Sequence, residues 1–246
     1  MSDQRVSNPY LTPDQTSGTV TSPSALGVKP DARLAQAFLA QAFLWMFVGL
    51  LISAGVAFFV QSNERLLGFA LDNYFLLIIA QLALVIGISW GINRISATVA
   101  LGLFFVYAAS LGLTIGLIVS GFTGASVVTA FLSASAMFGG AAIYGSVTKR
   151  SLAGLGGILF MGVIGILVAS LINVFLASDG LNWVISIVGV VIFTALTAYY
   201  VQRIQNGELA AQTGSMEKGA VIGALLLYLS FVNLFLFFLQ LFGGRD

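Results

Sequence analysis

Cysteine and histidine are both absent from the 246 residues. Disulfides, thiol chemistry, haem and the usual zinc sites go with them, as do a histidine pH switch and a Ser-His-Asp triad. Charge is also scarce. Only 8% of residues are Asp, Glu, Lys or Arg, against roughly 25% in a soluble domain. The net charge is +1, and the basic residues are scattered, with no patch suited to nucleic acid. No acid pair lies at mid-depth in an apolar run, so an aspartyl dyad is excluded. Lys149 and Lys218 lie too near the ends of such runs for a Ser-Lys dyad. No enzyme, cofactor or metal site is expected.

What is present is apolar. Hydrophobic residues make up 59% of the chain, and the mean hydropathy is +1.02. The first thirty residues are the exception, polar and rich in Ser, Thr and Pro. They contain no apolar core of the kind a signal peptide needs. Residues 1–33 read as a disordered cytoplasmic tail; the other reading is a docking segment for a partner.

Seven apolar stretches follow: Leu34–Val60, Tyr74–Gly91, Ala97–Ser120, Ser126–Val147, Gly154–Ala177, Leu181–Val201 and Gly219–Phe242. Each is near the length needed to cross ~30 Å of hydrocarbon. They are continuous rather than alternating, hence helices and not barrel strands. The expected fold is an all-α integral membrane domain of seven helices over 34–246, in contact with the lipid bilayer. Lys and Arg in the short loops orient it. With the amino terminus inside, Arg5, Lys29, Arg33, Arg94, Lys149, Arg150, Arg203 and Lys218 are inside, and Arg65 and Arg245 outside. The carboxy terminus then lies outside. Arg94, Lys149 and Arg150 read as orientation anchors.

The last span carries an ordered polar set. Ser230, Asn233 and Gln240 fall three and seven apart and share a helical face with Phe237. Unpaired amides are costly in hydrocarbon, so that face looks into protein or a wet cavity. Thr194, Thr197 and Tyr200 form a drifting stripe in the sixth span. Ser170 and Asn173 lie in the fifth, and Gln81 and Ser89 in the second. Either these residues line a solute pathway or they make the hydrogen bonds that hold a bundle together. Small residues are expected to pack helices closely: Gly112 and Gly116, Gly139 and Gly140 with Ser133 and Ser135, and Gly165 with Ala169. Glycine hinges for gating are the other reading. The lack of mid-span carboxylates argues against a proton-coupled pump, and the lack of an internal repeat argues against many transporter folds.

Three segments together resemble the Bax inhibitor-1 family: MFGGAAIYGSVTKRSLAGLGGILFMGVIGILVASLIN (137–173), FTALTAYYVQRI (193–204) and GALLLYLSFVNLFLFFLQLFGG (223–244). FLWMFVGLLISAGVAFF (43–59) also fits. The resemblance runs from about residue 34 to the end. It implies six helices around a central seventh, in a bacterial plasma membrane. It implies a pH-sensitive calcium leak, gated by two facing aspartates in spans six and seven. Some bacterial members also restrain a membrane-bound AAA protease.

The sequence departs from the family at the gate. Where the family reads TAYD, this chain has Thr197-Ala198-Tyr199-Tyr200; where it reads LYLD, this chain has Leu227-Tyr228-Leu229-Ser230. The inner-loop TKRD is Thr148-Lys149-Arg150-Ser151. Two close carboxylates form a pH switch because both cannot ionise cheaply; tyrosine and serine do not titrate near neutrality. Tyr200 and Ser230 are expected instead to share a neutral hydrogen bond of ~0.5–1.5 kcal/mol. Asn233, Thr197, Asn173 and Gln240 are the candidate pore-lining residues. The expected function is a calcium or cation leak with a degenerate pH gate; the alternative is a non-conducting adaptor for a membrane protease.

Overall fold

The structure, a computed structural model, describes residues 32–243. The tail assigned to 1–33 lies outside them, save Ala32 and Arg33, which open the first helix. Among the described residues the secondary structure is helical, without strands. Long helices form where apolar runs leave no other way to satisfy the backbone: α1 (Ala32–Gln61), α3 (Tyr74–Gly91), α4 (Ala97–Val119), α5 (Gly124–Val147), α6 (Gly156–Leu176), α7 (Asp179–Gln205) and α9 (Met216–Phe242). All seven are long and apolar enough to cross a membrane, α6 together with the 3-10 turn Ala153–Leu155. Two short helices were not expected: α2 (Glu64–Asp72) and α8 (Glu208–Thr213).

Four of the long helices start on a hydroxyl cap. Ser96, Thr123, Ser178 and Ser215 each accept a hydrogen bond from a first-turn amide, of Val99, Ser126, Leu181 and Lys218. Asn63 does the same for α2. Each cap satisfies one of the orphan amides of a helix start, worth ~1 kcal/mol.

The packing pairs show that the helices alternate in direction. Gly49 lies by Phe104 and Gly116 by Ala57 and Val60, so α1 and α4 run parallel. Ala42 lies by Gly223 and Ser53 by Tyr228, so α9 runs the same way. Ser186 meets Gln240 and Ile204 meets Gly223, so α7 opposes α9. The loops therefore sort into two faces. One holds residues 92–96, 148–155 and 206–215; the other holds 62–73, 120–123 and 177–178. Arg33, Arg94, Lys149, Arg150, Arg203 and Lys218 lie on the first face; Arg65 is the one described cation on the second.

α9 is the most buried span, at 67% of its apolar window. It packs on α1, α4, α5 and α7, and α8 folds beneath its start. α3 and α6 stand outside this group, on α4 and α7 respectively, and are each 11% buried. Backbones meet closely only in the inner group. A Cβ on Gly112 would lie 2.7 Å from the Ser53 carbonyl, one on Gly116 2.9 Å from that of Ala57, and one on Gly145 would strike that of Ala198. Gly139, Gly140 and Gly165 have open space where a Cβ would be. The expected close packing at these three is corrected: nothing comes within 4 Å of an added Cβ, and Gly140 faces a cleft beside α7.

Candidate functional site

The α7–α9 seam carries both family gate positions. Ser186 lies opposite Gln240, Gly189 opposite Phe237 and Ile204 opposite Gly223. Interpolating between these pairs puts Ser230 level with Leu196 and Thr197, and Tyr200 about one turn nearer the basic face, level with Leu226 and Leu227. The expected hydrogen bond between Tyr200 and Ser230 is not made. Ser230 Oγ, 1% exposed, donates instead to the Leu226 carbonyl of its own helix at 3.0 Å. Tyr200 is half-buried against the Tyr199 ring, 5.4 Å between centroids, and its hydroxyl has no partner among the described residues. A serine hydroxyl is one bond from its backbone and reaches the carbonyl four residues back more readily than a group across the seam.

Thr197 and Asn233 also bond carbonyls of their own helices. Thr197 is fully buried and donates to Phe193 O at 2.8 Å; Asn233 donates to Leu229 O at 2.8 Å. Gln240 is exposed, and its Oε1 accepts from Ser186 Oγ at 3.1 Å. The polar face of α9 thus does look into protein, towards α7. Asn173 is placed elsewhere. Its Oδ1 accepts from Ser178 N at 3.1 Å and its carbonyl from Ala177 N at 2.8 Å. It closes the tight α6–α7 turn, in which Ala177 takes a left-handed φ of 48°. Gln81 donates to Ser110 O and Thr114 Oγ1, at 3.0 and 2.8 Å, tying α3 to α4. Thr194 Oγ1 is buried with no partner among the described residues, and Thr194 lines a cleft between α7 and α5. Thr197, Ser230 and Gln240 thus lie along the α7–α9 seam, while Asn173 and Gln81 lie apart from it.

Two polar sites were missed from the sequence. At mid-depth in α1, Ser53 donates or accepts at 2.6 Å with Tyr228 Oη and lies 2.7 Å from the Ala108 carbonyl. Phe104 and Tyr107 set their rings edge-on against Tyr228, at 5.4 and 6.0 Å. This knot joins α1, α4 and α9 in the middle of the bundle. Its only sequence signal was a lone serine in an apolar run. The second site is Gln202. Its Oε1 accepts from Leu152 N at 2.7 Å and its Nε2 donates to Arg150 O at 2.9 Å. One buried amide thereby fixes the backbone of the 150–152 loop. Lys149 and Arg150 themselves are exposed, as is Arg94.

On the same face Arg203 sits 3.1 Å from Glu208, bonds Gln212 at 2.9 Å and covers the Tyr199 ring at 5.4 Å. These contacts hold α8 against the bundle, with Leu209 and Ala210 buried beneath Gly219. Left-handed Gly207 and Gly214, at φ 70° and 71°, make the turns on either side of α8.

Two lateral clefts open between the helices. One, about 330 Å³, lies between α1 and α5 and is floored by Phe231 and Phe235 of α9. The other, about 610 Å³, lies on α7 beside α5 and ends on Leu152 and Leu155. Both are apolar. Among the described residues no three Asp or Glu side chains gather into a metal site.

Known proteins share this pattern along nearly the whole chain. Residues 35–246 match the family described as inhibitor of apoptosis-promoting Bax1. The inner membrane protein YbhL of Escherichia coli is 44% identical over 224 residues, covering 89% of this chain and 95% of YbhL. An uncharacterized protein of Borreliella burgdorferi is 40% identical over 222 residues, covering 88% and 96%. The uncharacterized protein YrjE of Lactococcus lactis is 37% identical over 213 residues, covering 84% and 90%. With seven apolar helices and a matched region that spans all of them, this chain is a multi-pass membrane protein of the Bax inhibitor-1 family.

Proposed function

We propose that the protein serves membrane ion homeostasis as a cation leak, with calcium as the expected ion, and that its pH gate is lost. The observation that carries this reading is the neutral α7–α9 seam. Ser230 lies level with Leu196 and Thr197, Tyr200 about one turn on towards the basic face, and among the described residues no Asp, Glu, Lys or Arg shares the depth of Ser230. A seam without a titrating pair has no reason to open or close between pH 6 and 8. Two closures lie along α9: the Ser53–Tyr228 knot at mid-depth and the α8 plug at the basic face. The chain is read as lying in a bacterial inner membrane, as the name of YbhL says of that relative, with the basic face and the amino terminus in the cytoplasm.

The test is a gain of function. Tyr200→Asp with Ser230→Asp should give calcium flux in proteoliposomes that changes with pH, while the wild type stays flat. A double variant without pH response would sink the assigned seam geometry. A second reading is a non-conducting adaptor, which leaves a membrane protease or another membrane protein as partner. The nearly bare α3 and α6, 11% buried each, favour it. A wild type that carries no calcium yet co-purifies a protease from membranes would select it.

A further inference from the structure

We propose that the cleft between α5 and α7 is a binding site for an anionic phospholipid, with its acyl chain in the cleft and its phosphate on Lys149 and Arg150. The cleft is about 610 Å³ and is walled by Met137, Gly140, Val190 and Val191. It exists because α6 leans on α7 rather than on α5, and because Gly140 presents no side chain there. It opens sideways at hydrocarbon depth, where the surrounding solvent is acyl chain. An apolar cleft in that position has no other abundant filler.

The charge stands at one end of it. The cleft ends on Tyr144, Leu152 and Leu155, and the loop between them carries Lys149 and Arg150. Both are exposed, and neither forms an ion pair among the described residues. The loop is also held still. The buried Gln202 side chain bonds Leu152 N and Arg150 O, 2.7 and 2.9 Å. An orientation anchor needs only charge on the right side of the membrane; it does not need its backbone clamped by a buried amide. A clamped basic pair at the end of an apolar cleft fits a headgroup phosphate and the chain beneath it. The other cleft lacks this combination: Gln61 is the most polar residue of its lining. Gln202 is here a positioning residue, acting through the loop backbone.

The experiment is native mass spectrometry of the full chain, released from micelles that contain equal amounts of phosphatidylglycerol and phosphatidylcholine. The wild type should retain one phosphatidylglycerol in preference to phosphatidylcholine. Lys149→Gln with Arg150→Gln should cut that preference about tenfold or more, the effect expected of two basic side chains on one headgroup. Gly140→Leu, which fills the cleft, should lower retention of both lipids. Gln202→Leu should lower the preference partway while both cations remain. The charge variant and Gly140→Leu should unfold near the wild-type temperature. If Gly140→Leu does not fold, the charge variant decides alone, since its side chains are exposed. Equal phosphatidylglycerol retention by the charge variant overturns the proposal. So does a folded Gly140→Leu that binds as the wild type does, or a lipid-free dimer that Gly140→Leu abolishes, which would make a second copy the occupant.

Discussion

α4 and α6 are alike as sequences and unlike as parts of the bundle. Both are long, strongly apolar and punctuated by small residues, with α6 the more hydrophobic. Yet α4 is 44% buried and α6 11%. The glycines of α4 let α1 approach until backbones touch, and Gln81 ties α3 to its other side. Gly157 and Gly165 of α6 meet nothing within 4 Å. In a bilayer, hydrophobicity does not draw helices together, since lipid is as apolar as they are. Close backbone approach and interhelical hydrogen bonds decide which span goes inside, and α4 has both.

The sharpest way to test this difference is to crowd the glycines. Gly145→Leu should be the most damaging, because the added side chain meets the Ala198 backbone, which cannot yield. A loss of about 3 kcal/mol or outright failure to fold is expected, read as a fall in the unfolding midpoint in detergent. Gly112→Leu should behave likewise against Ser53. Gly165→Leu should stay within about 0.5 kcal/mol of the wild type, as a surface change does. Equal damage at Gly112 and Gly165 would erase the distinction between inner and outer spans.

Smaller effects probe the hydrogen bonds. Gln202→Leu strands Leu152 N and Arg150 O at the end of α7 and should cost about 1–3 kcal/mol. Its direct readout is faster tryptic cleavage at Lys149 and Arg150. Tyr228→Phe removes one link from the central knot and leaves Ser53 its bonds to Ala108 O and Gly49 O. About 0.6 kcal/mol, and no more than about 2, is expected. A double-mutant cycle with Ser53→Ala should recover that value as coupling; no coupling would mean the knot does not bind α1 to α9. The smallest change is Ala177→Gly, which relieves a left-handed residue and should stabilise by under about 1 kcal/mol.

The spans themselves were legible. Tyr74–Gly91 is the helix the sequence predicts, and the other boundaries move by a few residues, mostly where a Ser or Thr cap sits just outside the apolar run. α2 and α8 were not legible as spans because they are short and half-polar, and each is defined by turn residues, Asn63 for one and Gly207 and Gly214 for the other. Helical periodicity showed that Ser230, Asn233 and Gln240 share a face, and that face meets α7. It could not show where each polar atom bonds. Ser230 and Asn233 turn back to carbonyls four residues earlier, a choice made locally that spacing does not reveal. Asn173 shares its span with Ser170 at pathway-like spacing, yet caps a turn, because Ala177 ends the helix four residues on. Gln202 was visible within a motif, but its partner lies fifty residues away in a loop.

The most direct measurement is calcium flux into proteoliposomes of the wild-type protein at pH 6, 7 and 8. A neutral seam at Tyr200 and Ser230 predicts one level of flux across that range. Flux that rises or falls with pH would contradict the account, because some other titrating group would then control the path.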